Sequence, residues 1–265
     1  MKFNALALDL DGTLLNKAGE LTEEVIQSVS RIAKQNIAVC LVSGRMQPAI
    51  EPIWNKLNLN TPIVSYNGSR IHIPNTPEPI YEKRVQHDTA EQVMKYCRTN
   101  NLPCNAYFGD RLYTLEDNEY ARLYSEYFKV PLYIMPKDGS RPYGDPFKIL
   151  AILPEEKVEQ TYQEFCKHFK NDAEVTTSSR KYVEILPKGV NKATAVLELA
   201  KYLNIPIEQW IAVGDGMNDL EMLMCVGFGL AVEDAEPKLL EQIKSRISPL
   251  SEGGMDEIAK KYFTC

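Results

Sequence analysis

The chain has 265 residues, 44% of them apolar and 25% charged, with a formal net charge of −6. That balance argues against a disordered chain and predicts a sizeable core in one or two domains. Basic residues form no runs, which argues against a broad nucleic-acid surface, although a mildly acidic protein can still hold phosphate at one site.

The first element is a short apolar run, Phe3-Asn4-Ala5-Leu6-Ala7, that reads as a buried strand and leads into Leu8-Asp9-Leu10-Asp11-Gly12-Thr13-Leu14. Asp9 and Asp11 interrupt it too early for the apolar region of a signal peptide. No later run approaches the roughly 18 residues of a membrane span, so no membrane association is expected. Gly12 lets the backbone leave the sheet sharply. Residues two apart on a strand share a face, with Cα atoms about 6–7 Å apart. Asp9 and Asp11 can therefore address one pocket, a spacing that suits one carboxylate attacking or binding metal while the other moves a proton. Asp-Gly is also a common turn pair, so a strand ending in a turn explains part of the same pattern. A calcium loop counted from Asp9 is rejected, because Leu14 stands where its sharp-turn glycine belongs.

Residues 22–35 read as a helix capped by Thr22, with Val25, Val29 and Ile32 at helical spacing. Residues 37–42 are an unbroken apolar run, as in a strand buried on both faces, and end in Ser43-Gly44-Arg45. A helix over about 46–57 and a third strand over 62–66, closing on Asn67-Gly68, follow. Strand, helix, strand, helix, strand predicts right-handed crossovers and a parallel sheet. The alternation then lapses. Strands over 70–73 and 80–85 flank a Pro-rich turn. Beyond them the pattern predicts a helix over 89–100, a hairpin of 104–108 and 111–115, and a helix over 117–127. A strand over 147–153, a helix over 154–169 opened by Pro154, and strands over 173–177 and 182–186 complete this stretch. The mixture predicts a separate α+β unit inserted into the α/β one. Pro187-Lys188-Gly189 marks the return. A helix then runs from Asn191 to about residue 203. A buried strand over 210–213 ends in Gly214-Asp215-Gly216. A helix over 220–225, a strand over 226–232, a helix over 237–243 and a final helix to about 262 follow. The six cysteines, Cys40, Cys97, Cys104, Cys166, Cys225 and Cys265, include no C-x-x-C pair. Their scatter argues against zinc and structural disulfides and fits a reducing cytoplasm.

Polar residues gather at the ends of these elements. Asp9 and Asp11 end the first strand. Ser43 and Gly44 end the second, where a hydroxyl and backbone N–H groups can hold an anion at a helix N-terminus. Lys192 lies one turn inside a helix start and is cationic unless deeply buried. Gly214-Asp215-Gly216-Met217-Asn218-Asp219 crowds two acids and an amide after a buried strand. Each has a plain reading by itself: a loop pair, a solvated lysine, a helix N-cap at Asp219. Together they make chemical sense. Carboxylates and a carbonyl are the oxygen ligands Mg²⁺ prefers. The metal, Lys192, and the Ser43 and Gly44 donors would neutralise a phosphate. Asp9 would then attack phosphorus and Asp11 would protonate the leaving oxygen.

On these motifs the chain resembles the haloacid dehalogenase superfamily of phosphohydrolases, specifically its Cof-type sugar-phosphatase-like branch with a type IIB cap. The first motif, D-x-D-G-T-L, appears as Asp9-Leu10-Asp11-Gly12-Thr13-Leu14 and the second as Ser43-Gly44-Arg45. The lysine motif appears in Pro187-Lys188-Gly189-Val190-Asn191-Lys192, where the match selects Lys192 rather than Lys188. The fourth, G-D-x-x-N-D, spans residues 214–219. The tail Glu252-Gly253-Gly254-Met255 departs slightly from the family's acidic-Gly-Val pattern. The resemblance implies a Rossmann-like parallel-sheet core, residues 1–84 and 187–265, with an inserted α+β cap over 85–186. It implies a Mg²⁺-dependent phosphatase of small phosphomonoesters, either sugar phosphates or cofactor phosphates, acting through an aspartyl-phosphate. Asp9 would be the nucleophile and a metal ligand. Asp11 would be the general acid and base, with its backbone carbonyl on the metal. Asp215 would be the third ligand, and Asp219 would support the metal's waters or orient Lys192. Ser43, Gly44, Lys192 and Asn218 would hold the phosphate. Tyr107, Tyr113, Ser178, Ser179, Arg180 and Tyr182 are the cap residues considered for specificity. The expected partner is a small phosphorylated metabolite, with no obligate protein partner, in the cytoplasm. Two alternatives stay open: a phosphotransferase or phosphomutase with the same nucleophile, and a catalytically silent binding protein on this fold.

Overall fold

Ala5–Leu8 forms β1, apolar and buried at every position, as a strand covered on both faces must be. In the computed structural model, which describes residues 3–136, 144–179 and 181–263, β1 lies inside a five-stranded sheet. After it come α1 (Glu23–Ala33), β2 (Ala38–Leu41), α2 (Gln47–Lys56), β3 (Ile63–Ser65), β4 (Arg70–His72) and β5 (Tyr81–Glu82). Next are α3 (His87–Thr99), β6 (Cys104–Phe108), β7 (Arg111–Thr114), α4 (Glu119–Phe128), β8 (Leu132–Ile134), β9 (Ile149–Ile152), α5 (Glu155–Phe169), β10 (Ala173–Ser179) and β11 (Tyr182–Pro187). The chain closes with α6 (Lys192–Leu203), β12 (Trp210–Gly214), α7 (Leu220–Cys225), β13 (Phe228–Val232), α8 (Pro237–Gln242), β14 (Arg246–Ile247) and α9 (Gly254–Tyr262). By contacts it divides into two units: Met1–Arg45, Ile50–Tyr81 and Asn191–Cys265 form one, Met46–Ala49 and Glu82–Val190 the other.

The first unit is built on a parallel sheet in the order β14-β13-β12-β1-β2. From β1 the chain runs to β2 on one side and later returns through β12 on the other. The C-terminal end of β1 is thus a topological switch point, the place where open α/β sheets bind ligands. Helix α1 begins as its sequence predicts: the Thr22 hydroxyl accepts from the Val25 N–H at 3.3 Å, and Val25, Val29 and Ile32 turn inward.

The third predicted strand requires a correction. β3 meets the parallel sheet through one bridge, Val42 to Val64, and otherwise pairs antiparallel with β4 in a separate sheet, β3-β4-β5. The cause is the turn after it. Tyr66, Asn67 and Gly68 all carry positive φ, so the chain reverses on itself where a parallel crossover would need a helix.

In the second unit the sheet order is β10-β11-β9-β6-β7-β8. Its registers place Ala106, Ile149, Ala151, Val183 and Ile185 on one face, where they pack with Val93 and Cys97 of α3 and Phe165 and Phe169 of α5. Alternation sends Asn105, Tyr107 and Glu184 to the opposite face. There Tyr124 of α4 lies against Tyr107 and Tyr182, with ring centres 6.4 and 5.8 Å apart. β8 and β14 were not anticipated from the sequence; each has at most three residues, too few for a readable alternation. Among the described residues, no helix is long and apolar enough to cross a membrane.

Candidate active site

Asp9 follows β1 directly, and its N–H donates to the Val213 carbonyl of β12 at 3.1 Å. The first carboxylate is thereby held on the sheet edge beside the loop that carries Asp215. Gly12 explains how that loop fits. Its φ is +76°, and a Cβ built there would stand 2.1 Å from Asp215 Oδ2, so any side chain would be strained in conformation and would displace Asp215. The Thr13 hydroxyl donates to Asp215 Oδ1 at 3.3 Å.

Lys192 is the first residue of α6, a small correction to the expected place one turn inside it. The start is set by a capping box. Asn191 Oδ1 accepts from the Thr194 N–H at 2.9 Å, and Thr194 Oγ1 accepts from the Asn191 N–H at 3.0 Å. From there the ammonium donates to Asp9 Oδ1 and to Asp219 Oδ1, both at 2.6 Å. It is 1% exposed, so this is a buried ion triad and not a solvated lysine. Lys188 turns elsewhere and donates to the Asn171 carbonyl.

Asp219 uses its other oxygen as well. Oδ2 accepts from the N–H groups of Asp215 and Gly216, both at 3.1 Å. The expected helix N-cap makes no side-chain cap bond to the helix and braces the preceding loop instead, while its other oxygen holds Lys192.

The electrostatics follow from burial. Burial pushes the Asp9 carboxyl up, Lys192 draws it back, and the charges of Asp219 and Asp11 add to the rise, which ends at about 7. Burial, then the charges of Asp9 and Asp219, hold Asp215 well above the usual carboxylate range. Burial opposes the Lys192 ammonium, but Asp219 and Asp9 outweigh it and strengthen its hold on the proton.

One oxygen each from Asp9, Asp215 and Asp219 lie within 4.8 Å of one another. Three clustered carboxylates, those of Asp9 and Asp219 buried and that of Asp215 partly so, outnumber the one ammonium, and all the donors are oxygens. A hard divalent cation fits both facts.

Asp11 stands apart from that cluster. Its carboxylate is 41% exposed and is gripped by Arg45, Nε to Oδ2 at 2.7 Å and Nη2 to Oδ1 at 2.5 Å. Arg45 was not singled out from the sequence, although it closes the Ser43-Gly44-Arg45 run.

Ser43 is buried at the end of β2, and its Oγ accepts from the Arg45 N–H at 3.1 Å. Its loop is stitched to the turn after β3: Asn67 N–H donates to the Ser43 carbonyl at 3.0 Å and Tyr66 N–H to the Arg45 carbonyl at 2.9 Å. Asn218 donates through Nδ2 to Asn67 Oδ1 at 3.1 Å. Asn67 was the second residue missed. Applying the strand-end rule to the third strand, as to the other ends, finds it.

The cap residues separate by face. Tyr113 packs against Phe108 in the apolar layer beneath the helices, which removes it as a recognition candidate. Tyr107 is wholly buried on the other face, with the Lys148 ammonium 4.9 Å from its ring centre. Lys148 pairs with Glu184 at 3.0 Å, and Ser178 donates to Glu184. Tyr182 meets Tyr124 on that same face. Arg180 and the side chain of Ser179 lie outside the described residues.

Comparison with known proteins gives this geometry a context. A family model described as haloacid dehalogenase-like hydrolase matches residues 6–256. The 5-amino-6-(5-phospho-D-ribitylamino)uracil phosphatase of Bacillus subtilis (strain 168) is 26% identical over 272 residues, covering 98% of this chain and 97% of that protein. A solved haloacid dehalogenase-like hydrolase from Bacteroides thetaiotaomicron superposes with a TM-score of 0.85 at 27% identity, covering 99% of this chain and 100% of that one. A subclass IIB sugar phosphatase shares the fold at a TM-score of 0.83 and 18% identity, covering 98% of each chain.

Proposed function

The chain belongs to the haloacid dehalogenase-like hydrolases, and from that premise we propose a Cof-type, subclass IIB, Mg²⁺-dependent phosphatase that hydrolyses small phosphomonoesters through an aspartyl-phosphate. Its class is that of the phosphoric monoester hydrolases. The observation that carries the finer reading is the buried triad, Lys192 held at 2.6 Å by both Asp9 and Asp219.

Asp9 is the nucleophile. Burial keeps it from bulk water, and Lys192 offsets the repulsion between its carboxylate and an arriving phosphate. The Asp9 oxygen forms a bond to phosphorus as the ester oxygen leaves, and that oxygen takes a proton from Asp11. Asp11 then takes a proton from a water, which attacks the phosphoryl group and returns Asp9 as a carboxylate with release of orthophosphate. Arg45 orients Asp11 through one of its two oxygens while the other, released from the bidentate pair, carries the proton in these two transfers. Ser43, Gly44, Lys192 and Asn218 hold the phosphoryl oxygens. Asp9 and Asp215, with the Asp11 carbonyl, would hold the Mg²⁺, which when bound supplies Lewis-acid stabilisation of charge on the transferred group.

One relative is named for a phosphorylated ribityl compound, and a structural neighbour is described as a sugar phosphatase. The proposed substrate is accordingly a sugar phosphate or a cofactor phosphate, bound as a small metabolite in the cytoplasm. Buried free thiols at Cys40, Cys97 and Cys104 support that compartment.

The test is hydrolysis of p-nitrophenyl phosphate by wild type and Asp9→Asn, with Mg²⁺ and with a chelator. Turnover should need the metal and fall by on the order of 10³-fold or more in the variant. Wild-type rates in Asp9→Asn would remove the nucleophile from the scheme.

A further inference from the structure

The turn after β3 is the one place among the described residues where three successive residues take positive φ: Tyr66 at +53°, Asn67 at +54° and Gly68 at +109°. For a bulky residue such as Tyr66 this is a strained conformation that its surroundings must impose. They do so from two sides. The Tyr66 and Asn67 N–H groups are tied to the carbonyls of Arg45 and Ser43, at 2.9 and 3.0 Å. Gly68 packs so closely on α6 that a Cβ there would stand 2.4 Å from the Asn191 carbonyl oxygen, one residue before Lys192.

Asparagine takes positive φ more readily than most residues, so its presence in a turn is ordinary. Asn36, Asn58, Asn75, Asn101 and Asn204 do the same in this chain, and all five are exposed. Asn67 differs: it is 1% exposed, and its carboxamide is committed. Oδ1 accepts from Asn218 Nδ2 at 3.1 Å. The same carboxamide lies against the Gly44 backbone, where a Cβ would meet Oδ1 at 3.0 Å and Nδ2 at 3.1 Å. One side chain thus touches both Gly44 and Asn218, two of the groups assigned to the phosphate.

We propose that Asn67 is a positioning residue of the phosphate pocket, a neutral amide that sets the orientation of Asn218 and of the Ser43–Gly44 loop toward the phosphoryl oxygens. The proposal rests on the phosphatase reading above and adds a residue to it. A neutral amide suits the place because a carboxylate of the same shape would accept from Asn218 equally well but would repel a phosphate.

The test compares wild type, Asn67→Gly and Asn67→Asp in orthophosphate binding by calorimetry with Mg²⁺ present, in kcat and KM for p-nitrophenyl phosphate, and in Tm. Glycine is at ease with positive φ, so Asn67→Gly should stay folded, with only the modest fall in Tm that one lost buried hydrogen bond brings. Its orthophosphate Kd and its KM should nonetheless rise about tenfold, the effect of roughly one lost hydrogen-bond constraint. Asn67→Asp should weaken orthophosphate further still. If both folded variants bind orthophosphate and turn over as wild type does, Asn67 is a turn residue only and the proposal is overturned, with the phosphatase reading intact. If wild type itself neither binds orthophosphate nor hydrolyses the ester, the phosphatase reading falls and takes this proposal with it.

Discussion

At the scale of single residues, the ammonium of Lys192 decides the state of the site. It stands between Asp9 and Asp219 with almost no access to water. Removing one member of a buried ion pair leaves the rest uncompensated, typically at about 3–5 kcal/mol. Lys192→Ala should therefore lower the unfolding free energy by about that much at pH 8, read from denaturant melts, as well as abolish turnover. An unchanged melt would show the triad to be energetically idle. The raised pKa of Asp9, about 7, has a further consequence. In the metal-free protein the folded state holds a proton that the unfolded chain releases near the ordinary carboxylate value. Stability from this group is present at low pH and is lost as pH rises through about 7. A divalent cation competes with that proton, so the gain in Tm on adding Mg²⁺ should be larger at pH 8 than at pH 5. Equal gains would argue that the cation binds elsewhere. Arg45 supplies a third prediction. With its bidentate hold on Asp11 removed, Arg45→Ala should lose about tenfold or more in kcat, with a fall in Tm as well, because the Arg45 side chain is itself buried. A kcat equal to wild type would release Arg45 from the mechanism. The sequence showed Asp9, Lys192, Asp215 and Asp219 because their motifs are contiguous and their residue types unusual after apolar strands. It hid Arg45 and Asn67, since each matters through a partner far away in sequence: Asp11 for one, Asn218 for the other.

At the scale of elements, helix starts carried readable chemistry. Thr22 caps α1, and Asn191 with Thr194 caps α6, both on short-range side-chain patterns. Asn191→Ala should cost about 1 kcal/mol. It should also reduce turnover, since α6 presents Lys192 from its first residue. Chemical denaturation and steady-state rates check the two effects, and a neutral result in both would mean that packing alone sets the helix start. The hairpin of β6 and β7 was equally readable, because Gly109 supplies the positive φ its turn needs. β3 was not. Its residues are as apolar as those of a parallel strand, and what diverts it is the backbone of Tyr66-Asn67-Gly68. Local composition does not reveal that tyrosine adopts a left-handed conformation; tertiary hydrogen bonds to the Ser43–Arg45 loop impose it.

At the scale of the whole chain, motifs separated by some two hundred residues meet because of strand order. β1 lies between β2 and β12, so Asp9, Ser43 and Asp215 end neighbouring strands of one sheet. That much follows from strand-helix alternation and the switch-point rule. A net charge of −6 does not oppose phosphate binding, because the site carries its own cation in Lys192 and the place for another. The faces of the inserted sheet were not readable either, since they are a matter of register: Tyr113 lies in the apolar layer and Tyr107 on the opposite face. In the proposed cycle Asp9 carries the phosphoryl group during turnover. The measurement that tests it most directly is rapid acid quench of the enzyme with Mg²⁺ and excess phosphate ester, followed by mass spectrometry of the peptide containing Asp9. A phosphoryl adduct on Asp9, absent without substrate and absent in Asp9→Asn, is the predicted result. Full turnover with no adduct on that peptide at any quench time, and a wild-type rate in Asp9→Asn, would contradict it.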